Sequence, residues 1–315
     1  MIARSMRSTA LFVSAALVAC ACACGAASGA KPPPTVAIPV PAGHVRLVVG
    51  GDSRDDASHV LPWAFREAKA RGASAFFFLG DMELTPSFDG HFERELADLG
   101  GVPFYPVLGN HEVRFFGFLD VGHDAAERRY RDHFLGTRRT PIVSSLPGKI
   151  VYSVNLPGHV HFIALDNCSQ KGFGKDQLAW LASDLGQARS DPNVRHVFVG
   201  MHKPLAHGGV TTHGMEEDGP AAEADSDAAL AMFEHARVEL VLASHVHGFA
   251  RYAQGGIRSY ITGGLGAPLV RAMGKNAFHH FLVIDVAGDA VTVDVVRFDG
   301  APTYAPDDVA DDPGD

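Results

Sequence analysis

Cysteine is nearly absent from this 315-residue chain. Three of its four cysteines, Cys20, Cys22 and Cys24, crowd together near the start, and Cys168 stands alone in the body. A single body cysteine leaves no internal disulfide framework, so the fold must be held by its core. Cys168 reads as a small buried apolar residue and not as a nucleophile. Basic charge is also short: 27 Lys and Arg face 36 Asp and Glu, a formal net charge of −9. No basic stripe is present, which argues against tight nucleic-acid binding. Apolar runs long enough to span a bilayer are missing as well. The run near the start holds about fourteen residues, where about twenty are needed. Apolar content itself is ample, at 46% of residues with a mean hydropathy of +0.04. That suits one large domain or two small ones with a substantial core.

Arg4 and Arg7 precede the early apolar run, the layout of an export signal over residues 1–19. The run ends in LVAC, Leu17 to Cys20, which resembles the lipobox of bacterial lipoproteins. The resemblance implies cleavage before Cys20 and lipidation of its sulfur and new amino end. It also implies a place at the cell envelope, with the lipid anchor as the only membrane attachment. An ordinary signal cut within ACACACGAASG, giving a soluble secreted or periplasmic protein, reads the same residues differently. Residues 20–43 are small and proline-rich, the composition of a tether. Residues 301–315 carry Asp307, Asp308, Asp311, Asp312 and Asp315 and are expected to be disordered. Setting aside Arg4, Arg7 and these five acids leaves 25 basic against 31 acidic residues, a net charge of about −6. No linker-like break divides residues 44–300, which are expected to form one domain. The sequence does not disclose its oligomeric state.

Within that domain, short apolar runs alternate with helical patterns. VRLVVGG, SAFFFLGD and VPFYPVLGN read as strands. The segments between them, ASHVLPWAFREAKARG and HFERELADLGG, place Leu61, Ala64, Phe65 and Ala68, then Phe92, Leu96 and Leu99, on single helical faces. Phe76 to Leu79 form a continuous apolar run, which suits a strand buried on both faces. The second half continues with the strand pair KIVYSVNL and HVHFIALD and the helix KDQLAWLASDLGQAR. Strands VRHVFVGMH and VELVLASHVH follow, separated by a glycine- and acid-rich loop and the helix DAALAMFEHA. RSYITGG and the hairpin HHFLVIDVAGDAVTVDVVRF close the domain. Strand–helix–strand repetition predicts a layered α/β fold, and the number of strands predicts two sheets packed as a sandwich.

Polar residues cluster at the ends of these strands. Asp52 follows VVGG, Asp81 follows FFLG, Asn110 and His111 follow PVLG, His202 follows FVGM, and His245 and His247 follow LVLAS. Ligands bind at the carboxyl ends of strands in α/β sheets. Asp52, Asp81 and Asn110 are spaced twenty-nine residues apart, one strand–helix–strand step, so adjacent parallel strands bring them side by side. Two carboxylates, an amide and several imidazoles packed together repel or go unpaired unless cations join them. Carboxylate, amide oxygen and imidazole are all suitable ligands for Zn, Mn or Fe, and paired ions suit displacement at phosphorus.

GD-SR, GD-ME, GNHE, GMH and SHVH resemble, in order, the five motifs of the calcineurin-like metallophosphoesterases. The resemblance spans roughly residues 46–285, and GKDQLAWLASDL is similar to that family's helix before the fourth motif. It implies a four-layer architecture, a two-layer β-sandwich flanked by helices, holding two divalent or trivalent transition-metal ions (Mn, Fe or Zn). Asp81 would bridge both ions, with Asn110, His202 and His245 completing one and Asp52 and His247 belonging to the other. His111 would face the phosphate, stabilising its charge or protonating the leaving oxygen. A metal-held water or hydroxide would attack a small phosphomonoester or phosphodiester in line, with no phospho-enzyme. Glu112 would stand behind the ligands, fixing a histidine tautomer.

The resemblance breaks at position 54. The family's first motif usually carries a metal-binding histidine there, and this chain has Arg54. A guanidinium has no lone pair to donate, so it cannot be a ligand. Glu83, Asp55, water or substrate oxygen are the candidate substitutes. The purple acid phosphatase branch also lacks that histidine but has a tyrosine three residues after the second-motif aspartate; here that position is Leu84. Arg54 is expected either to hold a phosphate oxygen in a hydrogen-bonded fork or to pair with Asp55, Asp56 or Glu83. His159, His161, His196, His279 and His280 read as surface or packing residues. His207 and His213 lie on a glycine-rich loop after a metal motif, and His207 is a substrate-side candidate. Glu216, Glu217 and Asp218 read as solvated loop charges. A different kind of protein, a metal- or phosphate-binding member with an incomplete first metal site and weak catalysis, fits the same residues.

Overall fold

A computed structural model describes residues 35, 37–54, 56, 59–82, 91–113, 123–134, 142–208 and 213–302. The export signal, Cys20 and nearly all of the acidic tail lie outside the described residues, as do Asp55, Glu83 and Leu84. The first half contains β1 (His44–Gly50), α1 (Val60–Ala70), β2 (Ala75–Phe78), α2 (His91–Leu96), β3 (Phe104–Pro106), α3 (Asn110–Val113) and α4 (His123–Phe134). Next come β4 (Ser144–Ser145), β5 (Tyr152–Leu156), β6 (Val160–Ala164), α5 (Gly174–Ser190) and β7 (His196–Gly200). The chain then runs through α6 (Pro220–His235), β8 (Leu240–Ala243), β9 (Phe249–Gln254), β10 (Ile257–Thr262), β11 (His280–Ala287) and β12 (Ala290–Arg297).

Two sheets result, one in the order β12-β11-β1-β2-β3 and the other β4-β5-β6-β7-β8-β10-β9. β1, β2 and β3 pair in parallel, as do β6, β7, β8 and β10, because a helix or long connection returns the chain to the same starting edge each time. Alternate residues of both sheets share one core: Leu47, Val49, Phe77 and Ile284 from the first meet Val154, Phe162, Phe198 and Leu242 from the second. Phe77 stacks on Phe162 across the sandwich, ring centroids 3.6 Å apart. The opposite faces bury against helices. Val48, Phe76 and Phe78 meet Leu61, Trp63 and Phe65 of α1, while Ile163, Val199 and Val241 meet Leu181 of α5 and Phe233 of α6. Phe76 and Phe78 therefore face helices and Phe77 faces the second sheet, which is why the run is continuous.

Several elements differ from the sequence reading. α6 begins at Pro220, ahead of the predicted Asp227. Its buried face is Ala222, Ser226, Ala229 and Phe233, and the first two side chains are too small or polar to stand out as apolar. α4, β4 and β9 were not predicted. α4 is rich in charge and buries only a narrow stripe, including Tyr130 and Phe134. His245 and His247 do not continue a strand: β8 ends at Ala243, and both sit in the turn beyond it. Among the described residues, no helix is long and apolar enough to cross a membrane.

The sheets converge at their carboxyl ends. Gly51 N–H donates to Thr262 O at the end of β10, 3.0 Å, and Leu265 N–H donates back to Gly51 O, 3.0 Å. From the second sheet, His202 Nδ1 and Ser244 Oγ both donate to Leu79 O beyond β2, at 2.7 and 2.5 Å. This seam gathers the polar strand ends into one place.

Candidate metal centre

Asp52, Asp81 and His245 all adopt left-handed backbone, with φ of 61°, 59° and 66°. Such a conformation is unfavourable for a non-glycine residue and persists only where the surroundings impose it. Here cross-loop hydrogen bonds do so. Asp52 N–H donates to Gly80 O, and Ser53 and Arg54 N–H both donate to Asp81 O, each at 3.0 Å. Glycine precedes Asp52 and Asp81 because nothing larger fits. A Cβ on Gly80, itself at φ +91°, would come within 2.7 Å of the Gly109 backbone and of His202 Nδ1.

Glu112 fastens the same loops. Its carboxylate accepts N–H bonds from Asp81 (2.9 Å), Met82 (2.7 Å) and Gly109 (2.8 Å). Burial, and then the Asp81 charge, push its pKa up to about 8, against the pull of the Asp81 and Met82 N–H groups. Glu112 was expected to fix a histidine tautomer. Among the described residues its hydrogen bonds go to backbone instead, and backbone carbonyls orient two of the rings: Leu79 O takes His202 Nδ1, and Pro268 O takes His247 Nδ1, both at 2.7 Å.

Two groups of potential ligand atoms form, each within 4.8 Å: Asp81, His202 and His245, and Asp52, Asp81 and His247. Asp81 belongs to both. Asn110 Oδ1 lies 3.0 Å from His202 Nε2, and His245 Nδ1 lies 3.1 Å from that same nitrogen. His202 Nε2 is 3.4 Å from Asp81 Oδ1, and His247 Nε2 is 3.4 Å from Asp52 Oδ1. Asp52 Oδ1, Asp81 Oδ2 and His247 Nε2 are buried without a hydrogen-bond partner. Orphaned lone pairs converging at this distance are what a cation satisfies, so the residues present fit transition-metal ions. Burial alone would raise the pKa of both carboxyls; the imidazoles of His247 beside Asp52 and His202 beside Asp81 hold them below the usual range. Burial would lower His202, but the Asp81 carboxylate raises it to about 9, another sign that the cluster attracts positive charge.

Arg54 and His111 border the group. Arg54 Nη2 lies 3.9 Å and His111 Nε2 3.7 Å from Asp81 Oδ2. Asp56, one of the partners expected for Arg54, instead accepts the Val60 and Leu61 N–H groups at the start of α1, at 3.0 and 2.9 Å. Of the two loop histidines, His213 approaches the cluster, its ring centroid 6.5 Å from that of His245. His207 is exposed, and no hydrogen bond or ion pair among the described residues ties it to the cluster.

The acidic turn at residues 215–218 is not simply solvated. Glu217 Oε2 lies 3.6 Å from His245 Nε2, and Asp218 forms a buried 2.6 Å ion pair with Lys203. The His245 imidazole beside it, more than burial opposes it, lowers the Glu217 pKa. Only the i, i+4 spacing of His213 and Glu217 hinted at this in the sequence. His161 and His196 pack as buried partners of Asp184 and Glu239. Cys168 is a free, buried thiol.

Fold and site together define a layered α/β sandwich protein with a metal-binding cluster at the sheet seam. The profile of the calcineurin-like phosphoesterases matches residues 44–249, and the chain belongs to that family. It is similar to purple acid phosphatase 22 of Arabidopsis thaliana, 26% identical over 150 residues, which cover 48% of this chain and 31% of that protein. In structure it is similar to purple acid phosphatase PPD1 from yellow lupin (Lupinus luteus) seeds. The TM-score is 0.62 at 15% identity, covering 83% of this chain and 53% of that one. A dimetal phosphatase from Danio rerio is also similar, with a TM-score of 0.55 at 15% identity over 83% of this chain and 98% of that one. The chain thus spans about half or less of the two purple acid phosphatases.

Proposed function

We propose that this chain is a metal-dependent phosphoesterase that hydrolyses a small phosphomonoester or phosphodiester. The observation that supports this reading is the pair of ligand groups sharing Asp81, with three buried atoms left without partners. We assign Asp81, Asn110, His202 and His245 to one Mn, Fe or Zn ion, and Asp52, Asp81 and His247 to a second. When bound, such ions supply Lewis acidity and a clamp for in-line displacement at phosphorus. The chain's own residues orient and protonate. His111, buried beside Asp81, donates a proton to the leaving oxygen or stabilises charge on the phosphoryl group. Arg54 offers a forked pair of N–H donors to a phosphate oxygen. Leu84 stands where a purple acid phosphatase has its tyrosine, so an iron–tyrosinate centre is not part of the proposal. Export with a lipid anchor on Cys20 is.

A second reading follows from Arg54. With a cation in place of a ligand, the second ion has three protein ligands, and the protein could bind metal or phosphate with little turnover. The test is metal analysis of the purified protein, followed by assay of an aryl phosphate and its diester with each metal restored. Metal-dependent turnover, lost in Asn110→Ala and His111→Ala, supports the esterase. Bound metal without turnover under any condition supports the second reading, and absence of bound metal overturns the assignment of the cluster.

A further inference from the structure

We infer that Glu217 is a positioning residue for His245, and that the turn carrying it sets the affinity of one ion of the pair and not the other. The inference rests on the proposed reading of the cluster as a metal centre. The three ligand histidines do not present the same nitrogen. His202 and His247 have Nδ1 held by the carbonyls of Leu79 and Pro268, so Nε2 faces the carboxylates. His245 is reversed: Nδ1 faces inward, 3.1 Å from His202 Nε2, and Nε2 faces the Glu217 carboxylate at 3.6 Å. Among the described residues, no backbone carbonyl orients this ring. A carboxylate beside Nε2 favours the proton on that nitrogen and leaves the Nδ1 lone pair for a metal.

Glu217 is itself held in place. Its other oxygen, Oε1, lies 2.5 Å from His213 Nδ1. Fully buried Met215 anchors the turn, its N–H donating to Pro204 O at 3.0 Å. The Lys203–Asp218 pair closes it, with side chains 5% and 9% exposed. Lys203 directly follows the ligand His202, so the turn is tied to the strand end that supplies the metal site. Backbone carbonyls are part of the fold, whereas Glu217 is a side chain on a separate turn. The ion held by Asp81, Asn110, His202 and His245 therefore depends on that turn, and the ion held by Asp52, Asp81 and His247 does not.

Calorimetric titration of the metal-free full chain with Mn(II) or Zn(II) tests this. Glu217→Ala should weaken one binding step about 10- to 100-fold and leave the other unchanged. Glu217→Gln, whose amide oxygen keeps an acceptor beside Nε2–H, should recover most of the loss. Glu216→Gln removes the same charge from the same turn and should change neither step. In the Zn-loaded wild type, His245 should show an Nε2–H proton resonance protected from exchange, a measurement that needs no variant. Two unchanged steps in Glu217→Ala, equal losses in Glu216→Gln and Glu217→Gln, or an unprotected Nε2–H would each overturn the inference while leaving the metal centre standing. A wild type that binds no metal would overturn the reading on which it rests.

Discussion

His280 lies buried at the start of β11, with the rings of Phe249 and Phe278 at 5.5 and 5.1 Å. Its Nδ1 bonds to Phe278 O, and its Nε2 has no partner. Burial lowers its pKa to about 4. The folded protein keeps the ring neutral, while the unfolded chain takes up a proton near pH 6.5. Between these values the unfolded state binds more protons, so this contribution is complete above pH 6.5 and is lost as pH falls towards 4. It amounts to about 3 kcal/mol. Urea midpoints at pH 7 and 4.5 should fall less in His280→Leu than in wild type; an equal fall would assign the acid sensitivity elsewhere. Arg54 supplies the second prediction at this scale. Arg54→Ala should raise KM for an aryl phosphate by about tenfold, the loss of a charge-assisted hydrogen bond, with metal content changed less. Unchanged kinetics would remove the phosphate fork from the proposal. Arg54→His, which restores a lone pair beside Asp81, should tighten the weaker metal-binding step in calorimetry.

Between β2, β3 and their following loops, Glu112 acts as a three-way fastener. Glu112→Ala would leave three buried N–H groups without that acceptor, each costing about 1–3 kcal/mol. A stability loss of at least about 3 kcal/mol is expected in urea titration, with weaker metal binding because Asp81 loses its backbone support. Full retention of both would show that water replaces the carboxylate. This role was not legible in the motif GNHE, because a chain of contacts to backbone thirty residues away leaves no pattern in sequence. Elements with large buried residues, such as α1 and β2, were legible. α6 was legible only in its second half, since its first buried positions are Ala222 and Ser226. β9, a sheet edge with mixed exposure, carries no alternation to read.

For the whole molecule, metal held by the proposed ligand set would tie together five strand ends from two sheets. Ions held only by the folded state stabilise it by about 2.7 kcal/mol at a hundredfold excess over Kd. Chelation should therefore lower Tm by about 5–10 °C in a domain of this size, with recovery on adding metal back. No change in Tm on chelation would mean that the seam closes without ions. Cys20→Ala in the full chain should move the protein from the membrane to the soluble fraction if the lipid anchor is correct; unchanged fractionation would reject it.

By itself, the sequence determined the strand ends that carry Asp52, Asp81, Asn110, His202, His245 and His247. Each follows a buried apolar run, and burial of such runs is a local property that periodicity records. The number of strands also pointed to two packed sheets, and the family resemblance added the helical outer layers. Tertiary structure alone decided which nitrogen each histidine turns inward and that Arg54 faces Asp81. It also decided that Glu217, read as a solvated charge, stands behind His245. Those outcomes depend on distances between segments far apart in the chain, set by how the two sheets converge, and no local pattern encodes them.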